Sequence, residues 1–200
     1  MAIVVIGGHS RNIGKTSVVC AVISALPQYH WTAIKISPFG HHICSANGES
    51  CDYQADDHTI AISEELNPTT GTDSSRYLSA GAVRSLWIRT RQGELAQAVT
   101  RIRAEIARSE NVIVESNTIL RFLRPDFYAS VLNPDTADFK PSALRYLDRA
   151  DAILLSGAGT PNPAWNISPE VFAHIPTFRI APPDYTSADF AAFVAKSLNV

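Results

Sequence analysis

Short, β-branched, almost wholly apolar runs recur along this chain, separated by amphipathic stretches long enough for a helix. Runs at residues 2–6, 32–36, 85–88, 111–115, 128–132, 152–155 and 177–180 read as strands buried on both faces, because a half-exposed strand would alternate with polar residues. Between them, helices are predicted over 15–25, 74–80, 93–109, 141–148 and 187–198. In the third helix Leu95, Val99, Ile102 and Ile106 recur at steps of three and four, which gathers them on one face. Strand and helix alternate, so the pattern predicts an α/β domain of three layers: a mostly parallel sheet of about seven strands with helices on both faces. No repeat or linker interrupts it, and residues 1–200 read as one domain.

Two stretches break the rhythm. Residues 37–72 are long and polar, with His41, His42, His58, Cys44, Cys51 and several acids, and read as a loop insertion serving as a lid or substrate loop. Residues 158–169 carry three prolines and form a second irregular segment after a strand. In an open parallel sheet, ligands sit beyond the carboxyl ends of the strands, where both loops would lie.

The first strand runs into Gly7-Gly8-His9-Ser10-Arg11-Asn12-Ile13-Gly14-Lys15-Thr16-Ser17 and then an apolar helix. Small residues let backbone N–H groups turn inward around a phosphate at the positive end of a helix. Residues 8–17 are therefore the expected phosphate loop of a P-loop NTPase for GTP or ATP. Lys15 would reach the β- and γ-phosphates, and the Thr16 hydroxyl would ligate Mg2+. Arg11 adds charge near the transferred group. Five residues separate Gly8 from Gly14 where the common pattern has four, a spacing that resembles dethiobiotin synthetase and related enzymes.

Two charged residues end apolar strands. Lys35 follows Ala33-Ile34, where a buried ammonium needs a partner that a ligand phosphate or carboxylate would supply; snorkelling to the sheet edge is the other reading. Glu115 closes residues 111–115 before Ser116 and Asn117. It stands where an acid would hold Mg2+ through water or orient an attacking group, or would merely cap the next helix.

Residues 71–82, Gly-Thr-Asp-Ser-Ser-Arg-Tyr-Leu-Ser-Ala-Gly-Ala, resemble a segment of the molybdopterin-guanine dinucleotide biosynthesis protein B family, MobB, in which Asp-Ser is followed by Arg and Ala-Gly-Ala. The pair His41-His42 behind Lys35 is similar to that family's histidine pair, and with the phosphate loop and Glu115 the resemblance covers most of residues 1–135. It implies GTP binding, weak hydrolysis and assistance to a molybdenum cofactor nucleotidyltransferase. It also implies that Asp73 sits near magnesium and the γ-phosphate, and that Ser74 and Arg76 face ligand. Asp73 could instead cap the helix that starts at Ser74. A small-molecule kinase or ligase of the dethiobiotin synthetase type is the alternative, supported by the loop spacing, Lys35 and Glu115. A nucleotide switch like the partitioning ATPases is a third reading, with Arg11 only a loose substitute for their second loop lysine. No Asn-Lys-x-Asp motif is present, so GTP over ATP rests on the resemblance.

Composition narrows the partners. A net charge of -2 gives no general attraction to nucleic acid or anionic lipid, and no apolar run is long enough to cross a bilayer. Three cysteines, with Cys20 on the apolar side of a helix, argue against a disulfide scaffold and for a reducing cytoplasm. His41, His42, Cys44 and Cys51 would suffice in number for a tetrahedral Zn2+, but their spacing fits no standard finger, and a substrate loop with unpaired thiols is preferred. Exposed strand edges permit a homodimer. Arg121, Phe122 and Leu123 form a basic and apolar cluster that either serves a partner or closes the core.

Overall fold

A computed structural model gives the architecture, and it describes residues 1–39, 60–157, 163–183, 185 and 187–199. All seven expected strands are present: β1 (Ile3–Gly8), β2 (Trp31–Phe39), β4 (Arg84–Arg91), β5 (Asn111–Glu115), β6 (Phe127–Leu132), β7 (Ala152–Ser156) and β8 (Thr177–Ile180). They are joined by an eighth, β3 (Ile60–Glu64), in the order β3-β4-β2-β5-β1-β6-β7-β8. Every pairing is parallel except β3 with β4.

The stretch 37–72 is thus not a loop throughout. Its start extends β2 to Phe39, and its later part supplies the antiparallel edge strand. β3 eludes a search for apolar runs because it is only partly covered: Ile60 and Ile62 pack on the core while Glu64 is exposed and forms an ion pair with Arg84. His41, His42, Cys44, Cys51 and His58, with the zinc expectation attached to them, lie outside the described residues. So do residues 158–162 of the irregular segment 158–169.

Both faces of the sheet are covered, which explains the continuous apolar runs. In β1, Val4 and Ile6 join one core layer and Val5 the other. The first layer is closed by α1 (Lys15–Ala25), α2 (Asp73–Ser79) and α5 (Ala188–Leu198) through Val18, Val22, Tyr77, Phe190 and Val194. On the second, α3 (Leu95–Ala107) lays down Leu95, Ala98, Ile102 and Ile106. The fourth expected helix is short: α4 (Pro141–Leu144) stops before Tyr146, whose φ of −120° leaves the helical region, and a 3-10 turn (Leu147–Arg149) follows.

Chain direction places the functional end. After β1 the chain crosses to β2 on one side, and β5 later fills the gap between them. β6 then continues on the other side of β1. The carboxyl ends of β1 and β5 consequently flank the point where the winding reverses, the crevice in which such sheets bind ligands.

Candidate functional site

The loop after β1 owes its shape to two left-handed residues, Asn12 (φ 55°) and Gly14 (φ 96°). Asn tolerates this region better than most residues. Gly14 has no alternative, because a Cβ there would lie 2.2 Å from the ring of Tyr185. Gly7 is equally confined, by the Asn117 amide oxygen at 2.1 Å from any Cβ. That amide pairs with the backbone of Gly8 in both directions, accepting from its N–H at 2.9 Å and donating to its carbonyl at 2.8 Å, which ties the loop to the end of β5. No side chain caps α1 at Gly14, so the N–H groups of its first turn are left to a ligand.

His9 and Ile13, both in the expected nucleotide loop, turn their side chains inward. His9 is fully buried: Nδ1 donates to the Asp138 carbonyl at 2.7 Å, and Nε2 accepts from the Asn133 N–H at 2.9 Å. Burial holds its pKa below the ordinary value, so the ring is a neutral brace. Ser10 also faces inward, its hydroxyl donating to the Asp138 carboxylate at 2.7 Å. These three residues can offer a phosphate only their backbone. Asp138, which holds two of them, lies far along the chain where nothing in the sequence marks it.

Lys15 bends back over the loop and donates to the Ser10 carbonyl at 2.5 Å. Burial pushes its pKa down to about 8, with the Glu115 carboxylate opposing the shift. This is an ammonium short of counter-charge, and a phosphate would provide it.

Beside it, neighbouring strands present Lys35 and Glu115 in register. The Glu115 side chain is only 8% exposed, and its Oε1 lies 3.7 Å from Lys35 Nζ. Its other oxygen accepts from the Thr16 hydroxyl at 2.8 Å and from the buried Tyr77 hydroxyl. Lys35 also forms an ion pair with Asp73 at the start of α2. Arg76, one turn on, approaches Asp73 at 3.9 Å and donates to the Ser17 hydroxyl at 2.8 Å. Thr16, Ser17, Lys35, Asp73, Arg76 and Glu115 are thereby brought together from four separate stretches of chain.

Three bland alternatives can be compared with this geometry. Thr72, not Asp73, caps α2, its hydroxyl accepting from the Ser75 N–H. Glu115 caps no helix; Ser116 accepts from the Ile119 N–H in the following turn. Lys35 does not snorkel to an edge, since β2 lies between β4 and β5. Ser74, in contrast, turns away from the cluster and lies buried with its hydroxyl near Thr72 and Glu65. Nothing in the sequence marks Tyr77, which passes for an ordinary core aromatic.

The oxygens of Thr16 and Glu115, with Asp73 close by, are hard donors of the kind Mg2+ takes when phosphates and water complete its shell. Among the described residues no group of three or more His, Cys, Asp or Glu stands ready to hold a metal unaided.

No family model matches the chain, and no curated protein matches it. Among solved structures, HypB from Helicobacter pylori, crystallised with nickel, is similar over 98% of this chain and 86% of its own, at 15% identity and a TM-score of 0.50. The fold is a P-loop NTPase fold. LpxK from Aquifex aeolicus, crystallised with ATP, matches 90% of this chain at 18% identity and a TM-score of 0.46; the match spans only 53% of LpxK. MobB from Bacillus subtilis matches 98% of each chain at 14% identity and a TM-score of 0.44. At such identities the likeness concerns architecture, and the chemistry has to be argued from this chain's own residues. Among the described residues no helix is long and apolar enough to cross a membrane.

Proposed function

We propose that this protein binds the triphosphate of GTP or ATP with Mg2+ across residues 8–17 and cleaves or transfers the terminal phosphoryl group. The observation that carries the reading is the convergence of Lys15 and Thr16 with Lys35, Asp73 and Glu115 at the uncapped amino end of α1. Lys15 and the first-turn N–H groups neutralise phosphate charge, and Lys35 adds a second ammonium. Thr16, Glu115 and Asp73 would hold Mg2+, which when bound would draw charge from the phosphate oxygens. Glu115 and Asp73 also orient the attacking oxygen.

The finer reading is a MobB-like GTP-binding accessory factor in molybdenum cofactor synthesis, working in the cytoplasm as a homodimer beside a nucleotidyltransferase. It is supported by the segment 71–82, whose Asp73 and Arg76 meet Lys35 and Ser17. An ATP-dependent kinase or ligase is the second reading, favoured by a groove that opens beside Lys15.

Phosphate release from γ-labelled GTP and ATP, with Mg2+, tests the chemistry. Wild type should turn over slowly, and Glu115→Gln should lose about a hundredfold in rate while still binding nucleotide. An unchanged rate in the variant would remove Glu115 from the mechanism.

A further inference from the structure

A groove of about 590 Å3 begins at Gly8 and Lys15 and runs between the ends of β2, β4 and β5 on one side and α4 on the other. Six of the chain's 17 Lys and Arg residues line it, whereas Glu115 is the only acid among its described lining. Glu115 is already engaged by Thr16, Tyr77 and Lys35. Among the described residues this is a local excess of positive charge in a chain of net charge -2.

One of the cations lining it is Lys140. The lysine is half-buried, and its pKa is lowered first by that burial and then by Arg11, with Asp138 and Glu115 acting in the opposite sense. The Asp138 carboxylate accepts from Ser10, and neither Lys140 nor Arg145 forms an ion pair among the described residues. Burying an ammonium without a partner is costly, so an anion is the natural complement. Ile36, Pro38, Leu95 and Phe122 give the opposite side an apolar surface.

We propose that this groove is the site of a second ligand, a small, multiply charged anion bearing phosphate or carboxylate groups on an apolar skeleton, held by Lys140 and Arg145 beside the bound nucleotide. The proposal deepens the nucleotide reading and rests on it, because the groove opens onto Lys15. Its occupant would present its reactive end to the terminal phosphate.

The test uses the full chain saturated with Mg2+ and a non-hydrolysable GTP or ATP analogue. Glycerol 3-phosphate and succinate are then titrated calorimetrically at constant ionic strength, so that non-specific screening is equal in both. One of them should bind at one site per chain, and which one does so separates a phosphate ligand from a carboxylate ligand. Lys140→Gln and Arg145→Gln should each weaken that binding about tenfold with thermal melting unchanged, and Arg145→Gln should also leave nucleotide affinity unchanged. Intact nucleotide binding with neither probe bound, or probe binding that is indifferent to both variants or displaces the nucleotide, would overturn the groove assignment alone. Failure of wild type to bind the nucleotide analogue would instead overturn the reading beneath it.

Discussion

Two charged clusters sit at opposite parts of the same sheet. At the β3–β4 edge, Arg84 makes a two-pronged pair with Glu64 at 2.8 and 3.0 Å and reaches Glu105 at 3.3 Å. At the end of β5, Thr16, Tyr77 and Lys35 gather around Glu115 in single, uneven contacts, the Lys35 ammonium 3.7 Å away and shared with Asp73. Geometry alone would rank the edge pair higher. Burial reverses the ranking, because water screens the edge while Glu115 and Lys15 lie largely out of it. The edge cluster satisfies itself and closes a strand. The inner one leaves Lys15 short of counter-charge, the condition expected where a charged ligand completes the set.

The contrast can be broken most forcefully at Lys35. Lys35→Met leaves Glu115 and Asp73 without their shared ammonium, and should lower stability in urea unfolding by about 3 kcal/mol, the usual cost of halving a buried pair. A loss no larger than that at the edge would erase the distinction.

Next in size is a pH effect on binding. Lys15 titrates near 8 in the free protein, and a bound phosphate raises that value, so the protonated form is the binding form. Nucleotide affinity should be level below pH 8 and fall by roughly an order of magnitude from pH 8 to 9.5, measured by calorimetry in matched ionic strength. Flat affinity across that range would place the lysine outside the phosphate site.

The smallest effect belongs to the edge. The hydrogen bond from Arg84 holds the Glu64 carboxyl below its usual value, so the stability it adds is present above the unfolded pKa and lost as pH falls through the folded one. Because Glu64 is well exposed, Glu64→Gln should cost less than about 1 kcal/mol near neutral pH and leave nucleotide affinity untouched.

Much of the architecture was legible because the central strands are buried on both faces and are apolar throughout. Lys35 and Glu115 stood out for the same reason, as charges at the ends of such runs. β3 was hidden because an edge strand needs only Ile60 and Ile62 to anchor it. The inward turns of His9 and Ser10 depend on Asp138, more than a hundred residues later, and Tyr185 reaches Gly14 across a still longer separation. Local pattern carries no trace of contacts made by chain return. The cationic groove was hidden likewise, since Arg11, Lys140 and Arg145 are scattered in sequence and meet only in the fold.

Calorimetric titration of Mg2+ with GTP, and separately with ATP, into wild type and Lys15→Ala tests the central claim most directly. Wild type should bind one nucleotide per chain, and the variant should bind it roughly a hundredfold more weakly, as loss of a charge-assisted contact requires. Preference for GTP would favour the MobB-like reading and preference for ATP the kinase or ligase. Binding of neither by wild type, or equal binding by both proteins, would contradict the account.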